Sequence, residues 1–208
     1  MKSRKLFKVC ALLMLAVMSC LLFSGCGGQS EQKKFVITYL PNESTDKNAD
    51  ARKGMAGDLS KVLGMEVTEL VSNDYNAVIE AMRTGKADMA YFGPLSFCLA
   101  YERAGAEPIG MIAKDKDKKN ATYKSVLVTS SKNTDINSIQ DIKGKTMAFV
   151  DPNSTSGNLI PSAAIMKAFP GEKLSMDDLH TNGKFFQAVS FSGKHQAGLE
   201  AVVKGDVQ

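Results

Sequence analysis

Between Phe35 and Ala113, short runs of β-branched and aromatic residues alternate with stretches of helical spacing, and no other feature constrains the fold as tightly. Phe35–Leu40 reads as a strand ending at Pro41. Met55, Leu59, Val62 and Leu63 recur three or four positions apart, as on one face of a helix, and Gly64 stops the pattern. Met65–Val71 is a second strand. Tyr75, Val78, Ile79 and Met82 make a second helix ended by Gly85. Ala87–Phe92, Ser96–Ala104 and Pro108–Ala113 continue as strand, helix and strand. This βαβα order predicts an α/β layer, because parallel neighbours need a crossover and a helix supplies it.

Asp115–Asn120 contains no apolar residue and reads as a solvated turn. It also falls where a crossover between two lobes would sit. Beyond it the pattern restarts, with a strand at Tyr123–Thr129, a short helix at Ile136–Ile142 and a strand at Lys145–Val150. A polar loop at Asp151–Gly157 leads into a helix reaching about Phe169. Phe185–Phe191 is a strand, and His195–Lys204 a helix ended by Gly205. Asn76–Asp88 laid on Gln196–Gln208 without gaps matches Ala77, Glu80, Ala81 and Gly85 to Ala197, Glu200, Ala201 and Gly205. Helix-friendly residues also produce such matches by chance. Together with the restart, the echo predicts two similar lobes, 35–114 and 121–208. The first copy leads into a buried strand and the second stops as its strand begins. The expectation is therefore a C-terminally truncated version of a longer protein.

The amino terminus reads as a secretion signal over residues 1–25. A basic stretch from Met1 to Lys8 precedes an apolar run from Val9 to Phe23, short for a helix crossing roughly 30 Å of hydrocarbon. An uncleaved anchor is the alternative. Leu22-Phe23-Ser24-Gly25-Cys26 resembles a bacterial lipobox, with Phe23 departing from the usual Leu. That resemblance implies cleavage before Cys26 and lipidation of its thiol, which holds a protein at a membrane without spanning it. Residues 26–34 then form a polar, glycine-containing tether. The leader's four basic residues account for the whole formal charge of +4, so the remainder is neutral. A nucleic-acid binder would carry its basic surplus in the folded part. Of four cysteines only Cys98 lies in the body, and there are two histidines, His180 and His195. That supply supports neither an internal disulfide nor a zinc or multi-histidine metal site. No cofactor is expected.

The strongest local signal is Asp151-Pro152-Asn153-Ser154-Thr155-Ser156-Gly157, which joins a strand to a helix. A helix start offers free N–H groups and the positive end of the dipole, and short hydroxyls beside it suit a small oxyanion. Simple N-capping is the alternative. Pro161 sits a turn inside, where it can distort the first turn or delay the regular helix. Tyr91-Phe92-Gly93-Pro94-Leu95-Ser96 is a second strand-to-helix junction, readable as a ligand contact or as an ordinary turn. His195 at the start of the last helix is either an anion donor or a surface residue. No G-x-S-x-G elbow and no placed carboxylate pair argue for catalysis, so the chain is read as a non-enzyme.

Three segments resemble the phosphonate, phosphate and phosphite substrate-binding proteins of ABC transporters (PhnD-like). They are Tyr75–Ala100, Asp141–Pro161 with its Ser-Thr-Ser-Gly-x-x-x-Pro, and Phe191–His195 with Ala201–Val207. The resemblance implies a periplasmic-binding-protein type II fold, two α/β lobes with a ligand cleft between them. It implies that Ser154, Thr155, Ser156, Tyr91 and His195 hold a tetrahedral anion, with Tyr39 by looser correspondence. Some relatives carry an acid where this chain has Gln208, which speaks against an aminophosphonate and leaves phosphate, phosphite or an alkylphosphonate. Implied partners are ABC permease subunits and, through the lipid, the extracytoplasmic face of a membrane. A surface-anchored sensor feeding a signalling partner is the alternative.

Overall fold

The computed structural model describes residues 34–41 and 46–208. The signal segment, Cys26 and the tether up to residue 33 lie outside the described residues. In chain order the first half comprises β1 (Phe35–Tyr39), α1 (Ala49–Leu63), β2 (Val67–Leu70), α2 (Tyr75–Arg83), β3 (Met89–Tyr91) and α3 (Pro94–Ala104). The second comprises β4 (Thr146–Phe149), α4 (Ile160–Ala168), α5 (Met176–His180), β5 (Ala188–Phe191) and α6 (His195–Lys204).

The first sheet has the order β2-β1-β3 and is parallel throughout, with Phe35 opposite Val67 and Ile37 opposite Met89. A central parallel strand is covered on both faces, and Ile37, Thr38, Tyr39 and Leu40 are all buried. The threonine hydroxyl in that run is satisfied, Thr38 Oγ1 lying 3.0 Å from Ser72 Oγ. The second sheet pairs β4 with β5, also parallel, with Phe149 opposite Phe191. Its core is Phe149, Ile165, Leu179, Phe185 and Phe186. Full burial of each such side chain stabilises by about 1.5–3 kcal/mol. Val150, at the end of β4, packs with Leu40, Tyr75 and Val78 and so joins the two sheets.

The two echo segments end alike. Gly85 and Gly205 have φ of 69° and 82°, a left-handed conformation that suits glycine. Lys86 N–H donates to Ala81 O and Asp206 N–H to Ala201 O, each at 2.9 Å. These are equivalent bonds at aligned positions and close both helices in the same way. After the second, Gln208 N–H reaches Thr146 Oγ1 at 2.9 Å, beside β4.

Three sequence expectations need correction. Pro108–Ala113 and Tyr123–Thr129 are not strands, because no neighbour among the described residues supplies a ladder and a strand exists only with a partner. Ile109, Ile112 and Val126 are accordingly 81%, 72% and 70% exposed. The helix expected at Ile136–Ile142 is only a 3-10 turn over Ile139–Ile142, fixed by Asp141 accepting from Ser138 N–H and Oγ–H. The α5 helix, absent from the sequence reading, starts at a box in which Ser175 caps Asp178 and Asp178 answers. Those bonds, with Lys184 nearby, hold the Asp178 carboxyl down at about 2.

Candidate functional site

The loop after β4 is shaped by a residue that cannot donate. Pro161 has no N–H, the donor that would serve Gly157 O in an ordinary ladder or Ser156 O in a turn one residue wider. The chain answers with a wider first turn over Thr155–Leu159, in which Leu159 N–H bonds Ser154 O and Ile160 N–H bonds Thr155 O. Gly157 O accepts instead from Val150 N–H at 3.0 Å, and Ser156 O accepts from Ser125 Oγ–H at 2.7 Å. The distortion expected at Pro161 is thus a one-turn widening with replacement donors.

The three hydroxyl residues have different fates. Ser154 is 2% exposed, and its Oγ accepts from Gly157 N–H at 3.1 Å. It is the cap, which leaves Thr155 and Ser156 free of that duty. Thr155 Oγ1 accepts from Leu95 N–H, near the start of α3, at 2.8 Å. An acceptor hydroxyl still has its own proton to give. Thr155 and Ser156 line a cavity of about 260 Å³ together with Pro94, Tyr123, Ser125 and Ile160. Both loops feeding it leave the carboxyl ends of parallel strands, where α/β sheets place ligands. Ser96 is not part of the lining. It is 1% exposed and its Oγ takes the Gly93 N–H at 3.0 Å, closing the α3 cap.

The other expected residues stand elsewhere. Tyr39 and Tyr91 are cross-strand neighbours at the ends of β1 and β3. Tyr39 is buried beneath Arg52, whose guanidinium lies 5.7 Å from the ring centre, and its hydroxyl donates to Met55 Sδ at 3.7 Å. Burial, with Glu69 adding, pushes this phenol up. His195 opens α6 and is exposed. None of these three lines the cavity, whereas Tyr123 and Ser125, which the sequence reading took as strand residues, both do. Their signal in the sequence is two hydroxyl residues at alternate positions, Tyr123 and Ser125.

A polar network supports the loop from behind. Asn158, 2% exposed, donates from Nδ2 to Pro152 O at 2.9 Å. Its Oδ1 therefore faces His180 Nε2 at 2.7 Å as an acceptor, so Nε2 carries a proton. The imidazole also meets Phe149 and Phe191 edge-on. Burial holds His180 below its ordinary 6.5, opposed by Asp177. The unfolded chain takes up a proton as pH falls through 6.5, while the folded chain resists until lower pH. Stability contributed by neutral His180 is therefore complete above that value and falls below it. Urea midpoints should drop between pH 7.5 and 5.5, and His180→Gln should flatten that part of the slope; these two values are chosen to bracket about one unit either side of an ordinary histidine.

Asp151 is also buried, and its carboxyl is raised by that burial and by the charge of Asp74. Bonds from Asn153 and Tyr75 N–H oppose the rise. Asp74 caps α2 through Ala77 N–H at 2.7 Å. Both carboxylates are thus bound to the start of α2, and the cavity lining itself carries no charged side chain.

Comparison with known proteins places this architecture. A binding-protein component of an ABC phosphonate transporter from Pseudomonas aeruginosa superposes with a TM-score of 0.68 at 24% identity, covering 86% of this chain and 56% of that one. The fold is therefore that of the periplasmic binding proteins, as the resemblance implied. The phosphate-import protein PhnD of Mycolicibacterium smegmatis is 29% identical over 89% of this chain and 60% of its own length. The phosphonates-binding periplasmic protein of Escherichia coli is 31% identical over 67% of this chain and 42% of its own. The chain thus spans between about two fifths and three fifths of the curated relatives it matches. Residues 37–208 match the family described as "ABC transporter, phosphonate, periplasmic substrate-binding protein", and the chain belongs to that family.

Proposed function

We propose that this chain is the solute-binding component of an ABC importer for a small phosphorus oxyanion: phosphate, phosphite or an alkylphosphonate. The observation that carries the reading is the cavity at Thr155 and Ser156, lined by hydroxyls and lying between two strand-to-helix loops in a chain of this family. Its volume of about 260 Å³ suits a small tetrahedral anion with a short substituent. Neutral donors and a helix start hold such a charge without a countercharge. On this reading the two sheets are the cores of two lobes, 35–114 and 121–208, that close on the ligand. Ser154 shapes the loop, while Tyr39, Tyr91 and His195 serve the cleft in its ligand-bound arrangement. Cys26 carries the lipid that holds the protein at the extracytoplasmic face of a membrane, where it docks on permease subunits. The family is one of transport proteins rather than enzymes.

Thermal unfolding with phosphate, phosphite, methylphosphonate and 2-aminoethylphosphonate, with sulfate as the control, tests this. A ligand at a hundred times its Kd adds about 2.7 kcal/mol, which raises the midpoint by roughly 5–10 °C in a chain of this size. The first three are expected to shift it. No shift with any phosphorus anion sinks the proposal.

A further inference from the structure

We infer that His180 is a positioning residue for the loop that carries Thr155 and Ser156, acting through the side-chain amide of Asn158. The inference rests on the proposed function and extends it to a residue outside the cavity lining.

That loop is closed at its base by one amide. Asn158 Nδ2–H donates to Pro152 O at 2.9 Å, six residues back, so the bond is a chord across Asn153–Gly157. At the other end of the amide, Oδ1 accepts from His180 Nε2–H at 2.7 Å, across 22 residues of chain. Ser162 Oγ stands farther off, at 3.4 Å from the same oxygen. A planar amide bonded at both ends has one orientation, whereas an amide bonded at one end swivels about that bond. Turning it over would set Oδ1 against Pro152 O and Nδ2 against Nε2–H, two contacts between like groups. Asn158 is 2% exposed, so an acceptor that loses its donor there must move to find another. His180 therefore fixes the chord. The chord in turn sets the spread of the loop whose hydroxyl residues line the cavity.

His180 is itself held from the side away from Asn158. It ends α5, where Leu179 is fully buried in the second core. Its ring meets Phe149 and Phe191 edge-on, at 5.0 and 5.2 Å between ring centres. Those two residues end β4 and β5, so the imidazole stands at the root of both strand-to-helix loops of the second half. The side chain thus has two separable parts. Its ring packs on the strand ends, and its Nε2–H orients the amide. Phenylalanine keeps an aromatic ring and has no donor. Glutamine has no ring and carries an N–H at nearly the reach of Nε2.

The test is calorimetric titration of the full chain with methylphosphonate and with inorganic phosphate, beside melting of the ligand-free protein. The proteins compared are the parent, His180→Phe, His180→Gln and Thr155→Val. His180→Phe is expected to weaken binding on the order of tenfold, the size of one hydrogen bond. His180→Gln is expected to bind within about twofold of the parent, since the bond it keeps is of that same size, and to melt lower than the parent for want of the ring. A purely structural role would make affinity follow melting instead. The chain has two histidines, so its imidazole NMR signals form two sets, and loss of one in His180→Gln assigns it. Methylphosphonate is expected to shift the His180 set in the parent. Should His180→Phe not fold, parental affinity in His180→Gln with a shifted His180 signal supports the role, and a tenfold loss in His180→Gln overturns it, that being the effect of losing one such bond. Parental affinity in His180→Phe alongside loss in Thr155→Val overturns the role of His180 and leaves the proposed function standing. Equal losses in the Phe and Gln variants overturn the action through Asn158. Failure of the parent to bind either anion overturns the proposed function and this inference with it.

Discussion

Thr155→Val is expected to lower affinity for the phosphorus oxyanion by about a hundredfold while leaving the fold intact. The hydroxyl has two jobs, and valine does neither. It accepts Leu95 N–H at 2.8 Å, and its proton is left to face the cavity. Once water is excluded by a bound ligand, an unsatisfied N–H costs about 1–3 kcal/mol, and a lost hydrogen bond to a charged partner is of similar size. Thr155→Ser keeps the oxygen and should retain most of the affinity. Titration of both variants against methylphosphonate and phosphate decides the matter. Valine binding like threonine would remove Thr155 from the site.

Gly157→Ala is expected to be the most damaging small substitution in the loop. A Cβ there would lie 2.3 Å from Val150 Cγ2 and 2.4 Å from Val150 Cβ, with Ser154 Oγ at 2.9 Å. Those distances are well inside van der Waals contact, and Val150 has nowhere to go. It is wedged among Leu40, Tyr75 and Val78, and its own N–H is bound to Gly157 O. The requirement at Gly157 is for space. Overpacking of this kind costs about 1–3 kcal/mol, and at roughly 2–4 °C per kcal/mol the melting midpoint should fall by several degrees. Val150→Ala removes the atoms that clash. The double variant should therefore be less destabilised than the sum of the singles, a coupling that a double-mutant cycle measures. Additive losses would mean that the loop relaxes elsewhere and that the contact is not the cause.

How much of this was legible in the sequence varies by residue. The five strands among the described residues and the longer helices followed from apolar spacing, and Gly64, Gly85 and Gly205 marked where helices end. Local signals suffice there because backbone geometry and one buried face are local properties. They fail where the partner is distant. Tyr123–Thr129 has the composition of a strand, yet composition does not say whether a ladder partner lies alongside. The same gap hid the place of Tyr123 and Ser125 in the cavity wall, since the Ser125–Ser156 bond joins positions 31 residues apart. In the Ser-Thr-Ser run the choice between cap and anion loop was posed as either-or. The structure divides it, with Ser154 capping and the next two residues facing the cavity. Tyr39, expected at the cleft from the looser part of the resemblance, lies in this arrangement under Arg52 with its hydroxyl on Met55 Sδ.

The order β2-β1-β3 also has a consequence for how the protein is made. The strand in the middle of the first sheet is the one synthesised first. It waits 32 residues for the partner of Phe35 and 52 for that of Ile37. Until Met89–Tyr91 has emerged, a run of apolar residues that ends with both edges covered has at least one edge bare. Unpaired edges of this kind are templates for the wrong partner. A nascent chain built on this plan gains most from a chaperone that holds it open over its first hundred residues, and least from one that arrives after β3.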